Sequence, residues 1–174
     1  INTTEGIIEA EASRLRGSEI TLKFPSVGAT EHLMTTASLA KGTTIIRNAA
    51  KEPEVVDLAN FLNSMGAQIK GAGTNVIKIK GVNELNGVEY SIIPDRIETG
   101  TFMIAAAITK GEVLIRNACP SYLNTVIEKL RLIGAKIISE KNVIHVIMST
   151  KPRAVHIITE VYPGFPTDLQ PPIS

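Results

Sequence analysis

The stretch "EVYPGFPTDLQ", residues 160 to 170, places an acidic side chain, Asp168, two positions after Pro166. A carboxylate held at such a turn can accept the proton of a substrate hydroxyl, and it can equally cap the helix that follows. Two earlier stretches, "KFPSVGATEHL" and "IIPDRIETGTF", have the same build: a short β-like run, a proline turn and an apolar helix-like run. At the position of Asp168 they carry Thr30 and Thr99. In the first of them, Ser26, Val27 and Gly28 stand directly before the helix, where free backbone N–H groups and the positive end of the helix dipole can hold an anion. Gly28 lets such a ligand approach the backbone closely. The plain alternative is that Ser26 is an ordinary N-cap. In the second stretch, Asp95, Arg96 and Glu98 read as a solvated helix start with acidic residues in its first turn, and Glu52 in "KEPE" reads the same way.

The remaining reactive side chains point to no further centre. The single cysteine, Cys119, excludes an intrachain disulfide and a Cys-only zinc site, and a free cysteine is most often a small buried hydrophobe. His32, His145 and His156 fall on helix or strand positions without ligand spacing, so no metal is assigned to them. Lys and Arg total 18 against 17 Asp and Glu, a net charge of +1. That balance gives no general attraction to nucleic acid or an anionic membrane, so any anion must be recognised locally. The apolar run "FMIAAAI" is far shorter than the roughly 20 residues of a membrane helix. With no signal-peptide pattern at its start, the chain reads as cytosolic.

The elements that must position these residues come from an internal duplication. "TTASLAKGTTIIRNAAKEPEVVDLANFLNSMGAQI" from Thr35 aligns with "IAAAITKGEVLIRNACPSYLNTVIEKLRLIGAKI" from Ile104. Lys41-Gly42 falls on Lys110-Gly111, and Ile46-Arg47-Asn48 falls on Ile115-Arg116-Asn117. Pro25, Pro94 and Pro163 are evenly spaced, about 69 residues apart, so a third copy begins near the end of the chain. Periodicity predicts the order βαβαββ for the unit: a strand in "EITLKF", a helix from Gly28, a strand in "TTIIRN", a helix opening at Pro53, and a hairpin through Gly71 to Asn75. The second helix of each copy carries one apolar stripe: Val55, Leu58, Ala59, Leu62 and Met65, then Leu123, Val126, Ile127, Leu130 and Ile133. The first helix of the second copy, "TFMIAAAITK", is apolar nearly all round, which suits an enclosed helix with sheets outside. A two-layer α/β sandwich accounts for the same pattern.

"FPSVGAT", "GTTIIRNAAKEPEVVDLANFLNSMGAQIKGAGT", "IIPDRIETGTF" and "PGFPTDLQ", in this order and spacing, resemble the bacterial UDP-N-acetylglucosamine enolpyruvyl transferases, from about Gly17 to Gln170. The resemblance implies an α/β fold of repeated βαβαββ units around a pseudo-threefold axis, helices inside and sheets outside, an inside-out α/β barrel that is incomplete here. It implies two halves with ligands in the cleft between them, residues 1–93 in the first and 94–174 in the second. The chain is then an internal fragment, and the remainder of the full-length chain is its partner.

The implied reaction transfers the enolpyruvyl group of phosphoenolpyruvate to the 3-hydroxyl of UDP-N-acetylglucosamine and releases phosphate, the committed step of peptidoglycan synthesis. No metal or organic cofactor is implied. On the family pattern Ser26, Val27 and Gly28 contact the sugar nucleotide, Asp168 is the base toward the sugar hydroxyl or orients it, and Asp95 and Glu52 line the cleft. Cys119 precedes Pro120 and lacks the glycine-rich loop of the family's reactive cysteine; that loop, the Lys-Asn pair and the arginines for phosphoenolpyruvate fall outside this sequence. The ending "DLQPPIS" departs from the family's apolar helix. The isolated chain is therefore expected to supply sugar-nucleotide contacts and the base without turning over alone. The alternatives are a non-catalytic βαβαββ ligand-binding module and a 3-phosphoshikimate 1-carboxyvinyltransferase.

Overall fold

A computed structural model describes residues 1–174. The chain forms two compact units, Ile1–Ser91 and Ile92–Ser174. The first opens with a hairpin of β1 (Asn2–Thr4) and β2 (Ile7–Glu9), then runs β3 (Glu19–Thr21), α1 (Val27–Ala37), β4 (Thr43–Arg47), α2 (Pro53–Ser64), β5 (Gln68–Lys70) and β6 (Val76–Lys80). The sheet order is β3-β4-β6-β5, with β3 parallel to β4 and the other pairs antiparallel. This is the βαβαββ order read from periodicity.

Strand alternation decides which face is covered. Ile46, Ile77, Ile79 and Ile69 are buried on one face against Met34 of α1 and Val55, Ala59 and Leu62 of α2. Arg47, Lys70, Lys78 and Lys80 lie on the other, exposed face, so the unit is two-layered, with helices on one side of a sheet whose back is polar. Each fully buried aliphatic side chain contributes about 1.5–3 kcal/mol of transfer free energy, which offsets the ordering of this small unit. Pro53 occupies the first turn of α2, and Gly66, at φ +107°, lets the chain leave the helix and enter β5.

The second unit contains α3 (Arg96–Ile108), β7 (Glu112–Arg116), a 3₁₀ turn (Pro120–Tyr122), α4 (Asn124–Ile133), β8 (Lys136–Glu140) and β9 (Val143–Ile147). A 3₁₀ turn (Thr167–Leu169) and the short α5 (Gln170–Ile173) end it. The stripe expected on α4 is buried at all five positions, against Met103 of α3 and Ile144 and Val146 of β9. Asn48 and Asn117, at matching places in the two copies, both adopt positive φ, 55° and 54°, so the duplication extends to backbone conformation.

Two expectations are corrected. The run before Pro94 is not a strand, and the sheet is β7-β9-β8, three strands against four in the first unit. The segment is held elsewhere: the Tyr90 hydroxyl donates to Asp57 Oδ1 at 2.8 Å, and its ring lies 5.1 Å from that of Phe61, both on α2. That hydrogen bond, then burial and the Asp57 charge, push the Tyr90 phenol above its ordinary pKa. Helix α3, in keeping with a fold that is present only in part, has one flank covered within this chain. It buries Thr99, Gly100, Met103, Ile104, Ala106 and Ala107 but leaves Phe102 and Ile108 exposed, because the strands, α4 and the C-terminal turn pack along a single flank. Pro171 and Pro172 do not prevent a helix; they sit within the single turn of α5, where missing N–H donors cost little.

Candidate functional site

In the first unit the candidate residues gather where α1 and α2 begin. Ser26 is the N-cap of α1; its Oγ accepts from the Ala29 N–H at 3.2 Å, and its carbonyl accepts from the Thr30 N–H at 3.0 Å. The capping alternative for Ser26 is therefore real. It does not use up the turn, since the N–H groups of Val27 and Gly28 remain directed out of the helix end. Gly28 is exposed, and a methyl group built on it meets no atom within 4 Å. The end of α1 thus offers two amides without an intrahelical partner, beside an exposed glycine.

Glu52 is the N-cap of α2, and only 7% of its surface is accessible. Its Oε2 accepts from the Lys51 N–H at 2.9 Å, and its carbonyl accepts from Val55 N–H, so the side chain shapes the loop entering α2. Glu31 on α1 faces Glu54 and Glu52. Burial first, then the charges of Glu54 and Glu52, raise its pKa above the ordinary 4.5. Ionising Glu31 therefore weakens the fold as pH rises from 4.5 through the raised value. Glu31→Gln is expected to have a higher Tm than the wild type at neutral pH, with the gap closing below pH 4.5; a gap independent of pH would show that the fold does not hold the Glu31 carboxyl above its ordinary pKa.

In the second unit Asp95 is the N-cap of α3, and its Oδ1 accepts from the N–H groups of Ile97 at 2.7 Å and Glu98 at 3.0 Å. The bland reading of Asp95 as a helix cap is what the geometry shows. The turn that carries Asp168 packs on the same helix. Arg96 lies over the Tyr162 ring, 5.5 Å from its centroid, and Leu169, fully buried, fills the notch at Gly100. A methyl group at Gly100 would stand 2.5 Å from Leu169 Cδ1.

Asp168 itself caps nothing. The N-caps of the 3₁₀ turn and of α5 are Pro166 and Leu169, neither with a side-chain cap bond, and Asp168 is exposed. The physical reason is a change of register. In the first two copies the helix starts one residue after the proline turn, at caps Ser26 and Asp95, which sends Thr30 and Thr99 into the buried second turn. In the third copy Pro166 delays the start, so the equivalent position falls in the first turn, outside. A carboxylate there is available to a ligand.

Sequence reasoning missed three features beside the candidate residues: the bonds of Thr30, the setting of Glu31 and the Gly100–Leu169 contact. The recurrence of Thr at 30 and 99 was the available signal for the first; the others depend on tertiary packing. No group of three or more His, Cys, Asp or Glu is placed to hold a metal, and no helix is long and apolar enough to cross a membrane. Cys119 is half-buried, its Sγ 3.3 Å from Ser121 Oγ.

The family model described as EPSP synthase (3-phosphoshikimate 1-carboxyvinyltransferase) matches residues 1–174. The chain belongs to this family. Among curated members, the chain is 55% identical over 173 residues to UDP-N-acetylglucosamine 1-carboxyvinyltransferase 1 of Carboxydothermus hydrogenoformans, and 56% identical over 170 residues to the protein of the same name from Caldanaerobacter subterraneus subsp. tengcongensis. These alignments cover 99% and 98% of the chain, which spans 41% of the length of each relative. Among solved structures, the enolpyruvyl transferase NikO from Streptomyces tendae superposes with a TM-score of 0.78 at 23% identity, over 93% of this chain and 42% of that one. EPSP synthase from Acinetobacter baumannii gives 0.57 at 23% identity, over 82% and 34%. The fold is thus that of the enolpyruvyl transferases, present here in part.

Proposed function

We propose that the chain is part of a UDP-N-acetylglucosamine 1-carboxyvinyltransferase, which transfers the enolpyruvyl group of phosphoenolpyruvate to the 3-hydroxyl of UDP-N-acetylglucosamine and releases phosphate. The observation that carries this is the pair of outward amides at Val27 and Gly28, in a chain 52–56% identical to relatives of that name. A diphosphate is a doubly anionic group that two backbone donors at a helix start can hold in register. Asp168, exposed and free of any capping duty, is assigned as the acceptor of the hydroxyl proton. Asp95 and Glu52 stand at helix starts and are assigned to the lining of the site; Asp95 also caps α3 with its side chain, whereas the Glu52 side chain accepts from the Lys51 N–H. The two units would belong to the two halves of the full-length protein, 1–93 and 94–174, with the rest of that protein supplying the phosphoenolpyruvate contacts. The cytoplasm is the assigned compartment, and peptidoglycan synthesis the assigned process.

Gly28→Ala in the full-length protein tests the assignment. The added methyl group has open space within the fold, and Ala is a better helix former than Gly by about 0.5–1 kcal/mol, so Tm should stay level or rise. Affinity for UDP-N-acetylglucosamine, measured by calorimetry, should fall about tenfold or more because the methyl group occupies the ligand's approach. Unchanged affinity would remove Gly28 from the site.

A further inference from the structure

We infer that Thr30 is the positioning residue of the sugar-nucleotide turn, aiming the Val27 amide and tying it to the loop that carries Glu52. Thr30 is fully buried, yet its hydroxyl is used twice: Oγ1 donates to the Ser26 carbonyl at 2.7 Å and accepts from the Ala50 N–H at 3.0 Å. With the Thr30 N–H at 3.0 Å, the Ser26 carbonyl therefore receives two donors from one residue. That carbonyl and the Val27 N–H belong to the same planar trans peptide and point in opposite directions. Fixing the carbonyl into the helix fixes the amide out of it, toward the ligand. The second bond runs to Ala50, two residues before Glu52, so the start of α2 is held to the same hydroxyl. Thr99 makes the first of these bonds, to the Asp95 carbonyl at 2.7 Å, whereas Thr30 adds the second bond, to Ala50.

The inference rests on the functional reading above, and its test separates the two. Thr30→Val keeps the shape and removes both hydrogen bonds; Thr30→Ser keeps the hydroxyl. In the full-length protein, Thr30→Val is expected to raise KM for UDP-N-acetylglucosamine about tenfold while KM for phosphoenolpyruvate and kcat change less than about threefold, and Thr30→Ser is expected to restore the sugar-nucleotide KM to within about twofold. Thr30→Ala, which introduces no branched side chain, is the second variant should Thr30→Val not fold, with the same KM rise expected. A normal sugar-nucleotide KM in the folded Val or Ala variant, an equal rise in both KM values, or no recovery in Thr30→Ser would overturn the positioning role alone. A wild-type protein that releases no phosphate from this substrate pair would overturn the functional reading and this role with it.

Discussion

Asp168→Asn in the full-length protein is expected to lower turnover about 10²-fold or more while leaving Tm unchanged. The two halves of that expectation come from different features. Turnover falls because asparagine keeps the size and polarity of the side chain but cannot take the proton that the attacking hydroxyl must lose. Stability holds because Asp168 is exposed and supports neither the 3₁₀ turn nor the helix after it. A capping aspartate would behave in the opposite way, losing roughly 1 kcal/mol of stability and no specific step of catalysis. Single-turnover phosphate release, compared with a thermal melt of the same sample, distinguishes these outcomes. Normal turnover with a lowered Tm would make Asp168 structural.

The second large effect belongs to the neighbouring residue. Leu169→Ala should destabilise the unit by about 2–5 kcal/mol, because Leu169 is fully buried in a core with Met103, Leu130 and Ile144 and the space over Gly100 cannot refill itself. The same change should reduce kcat in the fraction that stays folded, since the turn bearing Asp168 is held to α3 through this side chain and the Arg96–Tyr162 contact. Urea unfolding gives the first quantity, and turnover per folded molecule gives the second. A loss below about 1 kcal/mol would mean that the turn is anchored by other contacts.

The duplication made the architecture legible. Lys-Gly and Ile-Arg-Asn pairs recur in both copies, and the stripes on α2 and α4 follow from local periodicity, which survives in a single sequence because each helix buries one face. What periodicity could not show was the fate of residues 88–93. Their β-like composition suits a strand, yet a tertiary contact decides otherwise, with Tyr90 drawn to Asp57 and Phe61. The candidate site was legible in the same uneven way. Ser26, Val27 and Gly28 stand out because helix starts have a local signature. Asp168 stands out by type, but whether it faces inward or outward turns on one added proline, Pro166, and on where that proline lets the helix begin. Thr30 looked like an unremarkable helix residue; its bond from the Ala50 N–H joins positions 20 residues apart, and no local pattern encodes such a pairing.

The most direct test is a phosphate-release assay of the full-length protein, supplied with phosphoenolpyruvate and either UDP-N-acetylglucosamine or shikimate 3-phosphate. Release with the sugar nucleotide and none with the shikimate compound is the expected result. Release with shikimate 3-phosphate alone would contradict the assignment of the Val27 and Gly28 amides to a sugar nucleotide.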